Sequence, residues 1–367
     1  MKVGPVNANP SEEIRVIFED GKINPPKNFN LGPNNTLIWT RPDGSDEQTT
    51  CQLTYVSATD TKIQKESAKS EKVTIPTDLR ETRYRVTIRA TKDNNYSDTP
   101  PPLTITATHA KSATIAGGLS HPYAMAVAGD NLYIAASGSA GSDAKIWKIS
   151  TNDGVTKSLF RNGLAMTDAL AAAGDTLYFT QHAPDGDSVM KILTNVSGAE
   201  PVTVKGVREK LASMAVVGDS LYIAESNSDL VANISTVSPT AFEPVVRGLN
   251  KPFGVAAADG ILYISEGVEN GRVMRAFITG GAPAPFIENL KSPRGLAVAD
   301  GVLYIAEGGS GKVLMTPAVG DGKLSIVAED LVFPTAVTVA NGTLYIAEGQ
   351  ENGRVRKAPR LWKRSDQ

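Results

Sequence analysis

Four glutamates recur at one spacing in the C-terminal half of the chain and are the most regular residues that could carry chemistry. They stand 41 residues apart, at Glu225, Glu266, Glu307 and Glu348. Carboxylates at one level of a ring of repeats would suit Ca²⁺, which takes about six or more oxygen ligands. The alternative is structural, because a residue repeated in successive units also suits a shared backbone contact. Ca²⁺ is therefore a possible cofactor, and none is required.

Histidine is the side chain that most readily serves as an acid or base near neutral pH, and the chain contains three. His121 precedes a repeated proline, and His182 follows a predicted strand in the next repeat. Both are candidates for a catalytic role at one opening of the molecule. The alternative is that they are surface histidines without a role. Searches for nucleotide-binding loops, zinc-protease helices and serine nucleophile turns find no match.

The positions of these residues depend on a repeat that fills residues 111–360. A Leu-Tyr pair recurs six times at intervals of 41 to 45 residues, and each unit contains four short strand patterns separated by turn residues. That period is typical of the blades of a β-propeller, here with six blades. Residues 112–116 match the fourth-strand position of the other units. We therefore expect them to supply the outer strand of the last blade, which removes free sheet edges.

The remaining segments differ from the repeats. Residues 23–110 contain short alternating apolar runs about ten residues apart, which predicts an antiparallel β-sandwich. The chain as a whole is therefore expected to be all-β. Residues 1–22 form an N-terminal segment that the sequence does not assign, and residues 361–367 are expected to form a basic tail.

The repeat wording, Pro-x-Gly-[Val/Leu]-Ala followed by Leu-Tyr-Ile-[Ala/Ser]-Glu-Gly, resembles that of known propellers. It is similar to the six-bladed NHL, YWTD and SMP-30-like group, and also to streptogramin lyases. Within residues 23–110, Leu37-x-Trp39 and the alternating run from Tyr84 to Ala90 resemble a fibronectin type III module. The resemblance implies a fold and leaves several activities open, because the group includes lactonases, lyases, scaffolds and receptors. For SMP-30-like enzymes it implies a metal at the channel mouth.

The loops that enter the inner strands of such a ring meet at the mouth of its channel. Residues that differ between blades there are the better candidates for ligand binding: Tyr123, Asp168, Lys210, Lys251, Phe253, Arg294 and Phe333. Aromatic, basic and acidic groups at one opening suit a small polar or charged ligand. The alternative is that they are ordinary solvated loop residues.

Composition limits the partners and the location of the protein. The formal net charge is -2, which argues against nucleic acid as a partner, and one cysteine excludes an intrachain disulfide. There is no apolar run of transmembrane length and no apolar leader. We therefore expect either a cytoplasmic protein or one that is secreted or surface-associated by a leaderless route or after processing. The sequence does not indicate an oligomeric state.

These observations favour a non-enzymatic binding or adhesion protein that holds a protein or glycan partner at the channel mouth or on the blade faces. The first alternative is a metal-assisted lactonase or lyase of the SMP-30 or streptogramin lyase kind. The second alternative is a rigid structural component of a larger assembly.

Overall fold

The computed structural model of the chain describes residues 26–32, 36–40, 50–56, 61–67, 72–74, 83–92, 95–96, 103–108, 112–138, 142–152, 156–184, 186–208, 210–320, 322–359 and 361–364. Two compact units are present, one made of Met1–Thr108 with Leu361–Gln367 and the other of His109–Arg360. The described residues form strands and turns and no helix, so none of them forms a helix that could span a membrane. The unassigned segment, 1–22, lies outside the described residues.

The first unit contains two antiparallel sheets. Its strands are β1 (Lys27–Gly32), β2 (Thr36–Thr40), β3 (Thr50–Val56), β4 (Thr61–Ser67), β5 (Lys72–Thr74), β6 (Arg83–Lys92), β7 (Asn95–Tyr96), β8 (Leu103–Thr108) and β33 (Leu361–Arg364). One sheet has the order β1-β2-β5, and the other has the order β33-β8-β6-β3-β4, with β7 paired to β6. Alternate residues of β3 are buried, as expected for a strand with one face on a core.

The C-terminal segment differs from the predicted basic tail. Leu361–Arg364 form strand β33, which pairs antiparallel with β8 from Thr108 to Ile105. Without this partner β8 would end the sheet with unpaired backbone N–H and C=O groups, and a following chain segment can satisfy them. The expectation of a tail over 361–367 is therefore corrected for these four residues, while residues 365–367 lie outside the described part of the chain.

The second unit consists of six four-stranded antiparallel sheets, each with sequential strand order, and we refer to them as blades. Blades one to three contain β10 (Pro122–Ala128), β11 (Asn131–Ala136), β12 (Ser142–Ser150), β13 (Lys157–Ala165); β14 (Leu170–Ala173), β15 (Thr176–Ala183), β16 (Gly186–Leu193), β17 (Val202–Arg208); and β18 (Leu211–Val217), β19 (Ser220–Glu225), β20 (Leu230–Ser235), β21 (Glu243–Arg247). Blades four to six contain β22 (Pro252–Ala258), β23 (Ile261–Glu266), β24 (Gly271–Phe277), β25 (Ala284–Leu290); β26 (Pro293–Ala299), β27 (Val302–Glu307), β28 (Lys312–Pro317), β29 (Ser325–Ala328); and β30 (Pro334–Ala340), β31 (Thr343–Glu348), β32 (Gly353–Pro359), β9 (Ala113–Leu119).

The six blades form a closed ring. The first strand of each blade contacts the first strand of the next, and β30 of blade six contacts β10 of blade one. The fourth strand of blade six comes from the other end of the unit, because β9 pairs antiparallel with β32. These sheets make the unit a β-propeller, and the ring brings the starts of all six inner strands to one end.

The hydrophobic core of the ring lies between blades rather than inside them. Each cluster of buried residues combines two neighbours, as where blade one contributes Ala135 and Ile146 and blade two contributes Phe179. The repeated tyrosine strengthens some of these contacts, since the hydroxyl of Tyr263 in blade four donates a hydrogen bond to the carbonyl of Ala318 in blade five, at 2.8 Å. Each blade therefore depends on both of its neighbours for burial.

Leu119 tests the closure of the ring, because it is fully buried in β9, in the core between blades six and one. We expect L119A to lower the free energy of unfolding by about 2–5 kcal/mol, the usual cost of such a cavity. Urea unfolding measures the change. The control is T114A, at an exposed position of the same strand, which should change stability by less than about 0.5 kcal/mol. Equal, small effects of the two variants would contradict closure through β9.

Candidate functional site

Each inner strand of the ring begins with one extra residue relative to the second strand of its blade. In blade one the extra residue is Tyr123, between the pairs Pro122–Ala136 and Ala124–Ala135. Bulges of this kind redirect a side chain and are common beside active sites. The equivalent residues are Tyr123, Asp168, Ala212, Phe253, Arg294 and Thr335. This end of the ring, where the inner strands begin, is the mouth.

The residue two positions before the bulged residue has an unusual backbone in five of the six blades. His121, Lys210, Lys251, Ser292 and Phe333 have φ between 46° and 52°. Left-handed backbone is unfavourable for residues other than glycine. In every blade the carbonyl at this position accepts a hydrogen bond from the residue that follows the second strand, as in Gly267 N–H to Lys251 at 3.1 Å. A repeated contact therefore holds the strained turn.

The repeated glutamates also hold the turn at the left-handed residue. The Oε1 atoms of Glu266, Glu307 and Glu348 accept hydrogen bonds, at 2.7 to 2.9 Å, from the backbone N–H just before the left-handed residue. Their other oxygens accept from Arg272, from Ser310, and from Arg354 together with Arg356. All three carboxylates are buried and engaged within their own blade. These contacts support the interpretation that the repeated glutamates make a shared backbone contact.

The same contacts decide whether these carboxylates suit a metal such as Ca²⁺. An oxygen that accepts from a backbone N–H or an arginine has little capacity left for a cation. Glu225 in blade three keeps one buried oxygen without a hydrogen-bond partner, but it offers a single carboxylate. Among the described residues no group of three or more His, Cys, Asp or Glu is placed to hold a metal. The repeated glutamates therefore do not fit a metal site.

Blade two departs from the repeat at the mouth, and there the titratable groups converge. Gln181 replaces the repeated glutamate, and His182 replaces the small residue that follows it in every other blade. The Nδ1 atom of His182 lies 2.7 Å from Oδ2 of Asp187, and its Nε2 atom lies 3.4 Å from Oδ2 of Asp168. Asp168 also accepts from the Ser137 hydroxyl of blade one at 3.3 Å. One imidazole is thus held between two carboxylates.

This environment sets the protonation state of His182. Burial alone would lower its pKa, but the two neighbouring carboxylates, Asp168 at 3.4 Å and Asp187 at 2.7 Å, outweigh burial and raise the pKa to about 9. The ring is therefore an imidazolium at neutral pH. Asp187 is itself buried, and its Oδ2 also accepts the backbone N–H of Leu211 in blade three at 2.9 Å.

Tyr123 lies within the electrostatic reach of this group. Burial raises the pKa of its phenol, the charge of Asp168 raises it further, and the charge of Arg294 lowers it. The phenol therefore stays protonated at neutral pH and can donate a hydrogen bond. Its ring packs beside that of His121, with centroids 5.9 Å apart.

The opposite side of the mouth is built around Arg294. Its guanidinium carbon lies 4.6 Å from the ring centroid of Phe253 and 4.4 Å from that of Phe333. Three neighbouring blades contribute these residues. The mouth thus places an aromatic and cationic group opposite the histidine and its carboxylates.

The structure brings together most of the predicted site residues but not all of them. Tyr123, Asp168, His182, Arg294 and the two phenylalanines meet as described, and His121 adjoins Tyr123. Lys210 and Lys251 are exposed, and no described contact joins their ammonium groups to this set. Asp187 was not predicted as a site residue, because Asp185-Gly186-Asp187 reads first as a turn. The available signal was that Asp187 lies across the hairpin from His182.

Comparison with known proteins places the fold. No family model and no curated protein matches the chain. Solved structures do: a putative oxidoreductase (glucose dehydrogenase) of Thermus thermophilus has 15% identity, TM-score 0.56, and coverage of 68% of this chain and 99% of the other. A gluconolactonase of Xanthomonas campestris has 15% identity, TM-score 0.55 and coverage of 68% and 89%. The PQQ-bound aldose sugar dehydrogenase of Streptomyces coelicolor has 16% identity, TM-score 0.55 and coverage of 72% and 100%.

At these identities the likeness establishes the β-propeller fold. It also corrects the first functional interpretation, a non-enzymatic binding or adhesion protein, because these similar propellers are enzymes by name. The physical reason for the error is that a count of residues does not show which side chains lie close together in the fold. Three histidines in the chain seemed too few for catalysis, but one imidazole between two carboxylates is enough for proton transfer.

The left-handed turn at Lys251 gives a test of the mouth backbone. Glycine adopts φ of 49° without the steric cost that alanine meets. We expect K251G to be more stable than K251A by about 1 kcal/mol in urea unfolding. Both variants lack the ammonium group, so their difference reports the backbone alone. If K251A were at least as stable as K251G, the left-handed turn would be contradicted.

His182 should make stability depend on pH. Its pKa is raised from 6.5 to about 9 in the folded chain, so its stabilising contribution is complete below pH 6.5 and is lost as the pH rises through about 9. We expect the wild-type chain to lose at most about 3 kcal/mol relative to H182Q across this window. Urea unfolding at several pH values measures it. Parallel curves for wild type and H182Q would refute the raised pKa.

Proposed function

We propose that the mouth is the active site of an enzyme that hydrolyses a lactone ring in a small, oxygen-rich substrate. The observation that carries the proposal is the imidazolium of His182, held between Asp168 and Asp187, with the phenol of Tyr123 within the electrostatic reach of Asp168. An acid, a carboxylate base and a neutral hydrogen-bond donor at one opening are the groups that ester-bond cleavage requires. The gluconolactonase among the similar propellers supports this class of reaction.

In the proposed reaction Asp168 acts as the base. It takes a proton from water while the water oxygen bonds to the lactone carbonyl carbon. The carbonyl electron pair moves to oxygen, and the phenol of Tyr123 donates a hydrogen bond to the oxyanion that forms. Such a donor stabilises charge that develops only in the transition state.

His182 acts as the acid in the second half of the reaction. As the tetrahedral intermediate collapses, the ring C–O bond breaks and Nε2–H protonates the leaving oxygen. The proton on Asp168 then passes to Nε2, 3.4 Å away, and restores the starting state. Asp187 accepts from Nδ1 at 2.7 Å and keeps the ring oriented, so it is a positioning residue.

The more specific family assignment of the two units is also part of this proposal. The repeat wording supports placing the propeller in the NHL, YWTD and SMP-30-like group. The two antiparallel sheets of the first unit, with buried alternate residues in β3, support a fibronectin type III-like module.

Removal of the acid tests the proposed reaction. We expect H182Q to lower kcat for lactone hydrolysis by about 10²- to 10⁴-fold, the usual contribution of a positioned acid or base. Proton release at constant pH from a panel of sugar lactones measures the rate, and a product heavier by one water identifies hydrolysis. H121Q is the matched control and should keep most of the activity. The proposal fails if no lactone in the panel is hydrolysed, or if H182Q is as active as H121Q.

A further inference from the structure

The guanidinium of Arg294 lies against two aromatic rings. The rings of Phe253 and Phe333 lie on it at 4.6 and 4.4 Å from the guanidinium carbon. Stacking of this kind orients the plane and leaves the N–H groups free to donate within it. A ligand that pairs with Arg294 therefore meets N–H groups on a guanidinium that the two rings hold in place.

Arg294 also lacks the carboxylate partner that other arginines at the mouth possess. Arg272 pairs with Glu266, and Arg354 pairs with Glu348, whereas none of the described acidic residues pairs with Arg294. Its Nε atom is buried without a hydrogen-bond partner. An unpaired charge that is partly withdrawn from water is costly, so the arrangement is expected where a ligand completes it.

The repeat leaves space for Arg294 at the position that His182 occupies in blade two. The equivalent residue in blade five is Gly308, and a Cβ atom there would lie 3.2 Å from both Cδ and Nε of Arg294. A side chain at residue 308 would press on Arg294 and make it shift by a few tenths of an ångström. Glycine at this position therefore allows the stacked geometry.

We infer that Arg294 binds a carboxylate of the ligand, and that the substrate of the proposed hydrolysis is a lactone bearing a free carboxylate. The planar fork of an arginine donates two parallel hydrogen bonds to the two coplanar oxygens of a carboxylate. A single guanidinium suits that flat, singly charged group better than a tetrahedral phosphate, whose larger charge calls for several cations. The substrate class rests on the proposed function, whereas the carboxylate site does not.

Binding of glucarate, an open-chain hydroxy dicarboxylate, tests the carboxylate site without any turnover. Titration calorimetry should show that R294M weakens binding by about 10- to 100-fold, the loss expected for hydrogen bonds to a charged group. R294K keeps the charge without the fork and should fall between the two. The matched control is R275M, which removes an arginine stacked on Phe286, 3.9 Å from the ring centroid, on the third strand of blade four. It should bind glucarate as wild type does.

Turnover tests the substrate class. Wild type should have a higher kcat/KM for glucarolactone than for its primary amide, and R294M should lose most of this preference. If R294M does not fold, as judged by thermal unfolding, R294K provides the test, because it keeps the charge without the planar fork and should lose part of the preference.

The outcomes separate the two proposals. Glucarate binding that is absent in wild type, unchanged in R294M, or equally inhibited by inorganic phosphate would overturn the carboxylate site. Binding that depends on Arg294 while no lactone is hydrolysed would overturn the proposed function and leave the carboxylate site standing. Hydrolysis with equal preference for acid and amide would overturn the acidic substrate alone.

Discussion

The pairing of β9 with β32 is the interaction on which the propeller depends. It joins the segment ahead of the first blade to the last blade, so that Leu119 lies opposite Gly353 across the closing sheet. Because the core lies between blades, an open array would expose one apolar face at each end. Closure buries both faces. It also fixes the starts of all six inner strands in one ring, and without it Tyr123 of blade one and Thr335 of blade six would not adjoin.

Residues that repeat from blade to blade hold the turns of the mouth, and residues that depart from the repeat supply its titratable side chains. In blades four to six a buried glutamate and a left-handed residue hold the turn, and a glycine follows the second strand. Blade two has none of these three features. It has Gln181, Met166 and His182 in their places. Asp187 connects blade two to blade three by accepting the backbone N–H of Leu211.

Local patterns made the sheets predictable, and long-range contacts made the rest unpredictable. Two-residue turns such as Asp300-Gly301, in which both residues have positive φ, could be read directly as hairpins, so the all-β, four-stranded units were confirmed. The pairing of β33 with β8 has no periodic signal and joins residues far apart in sequence. Asp187 looked like a turn residue because its distance to His182 depends on a hairpin register. The repeated glutamates indicated a backbone contact, but only the structure identifies the N–H groups.

His182 and Arg294 differ in how their charges are compensated, and this difference gives the two sides of the mouth different charge. His182 is balanced by two carboxylates, so its proton is held by the protein whether or not a ligand is present. Arg294 is held by rings, which fix its plane without neutralising its charge. An anionic ligand is therefore attracted to one side of the mouth and repelled by Asp168 on the other. The charged end of a substrate would lie at Arg294, which leaves its uncharged, reactive bond for the residues of blades one and two.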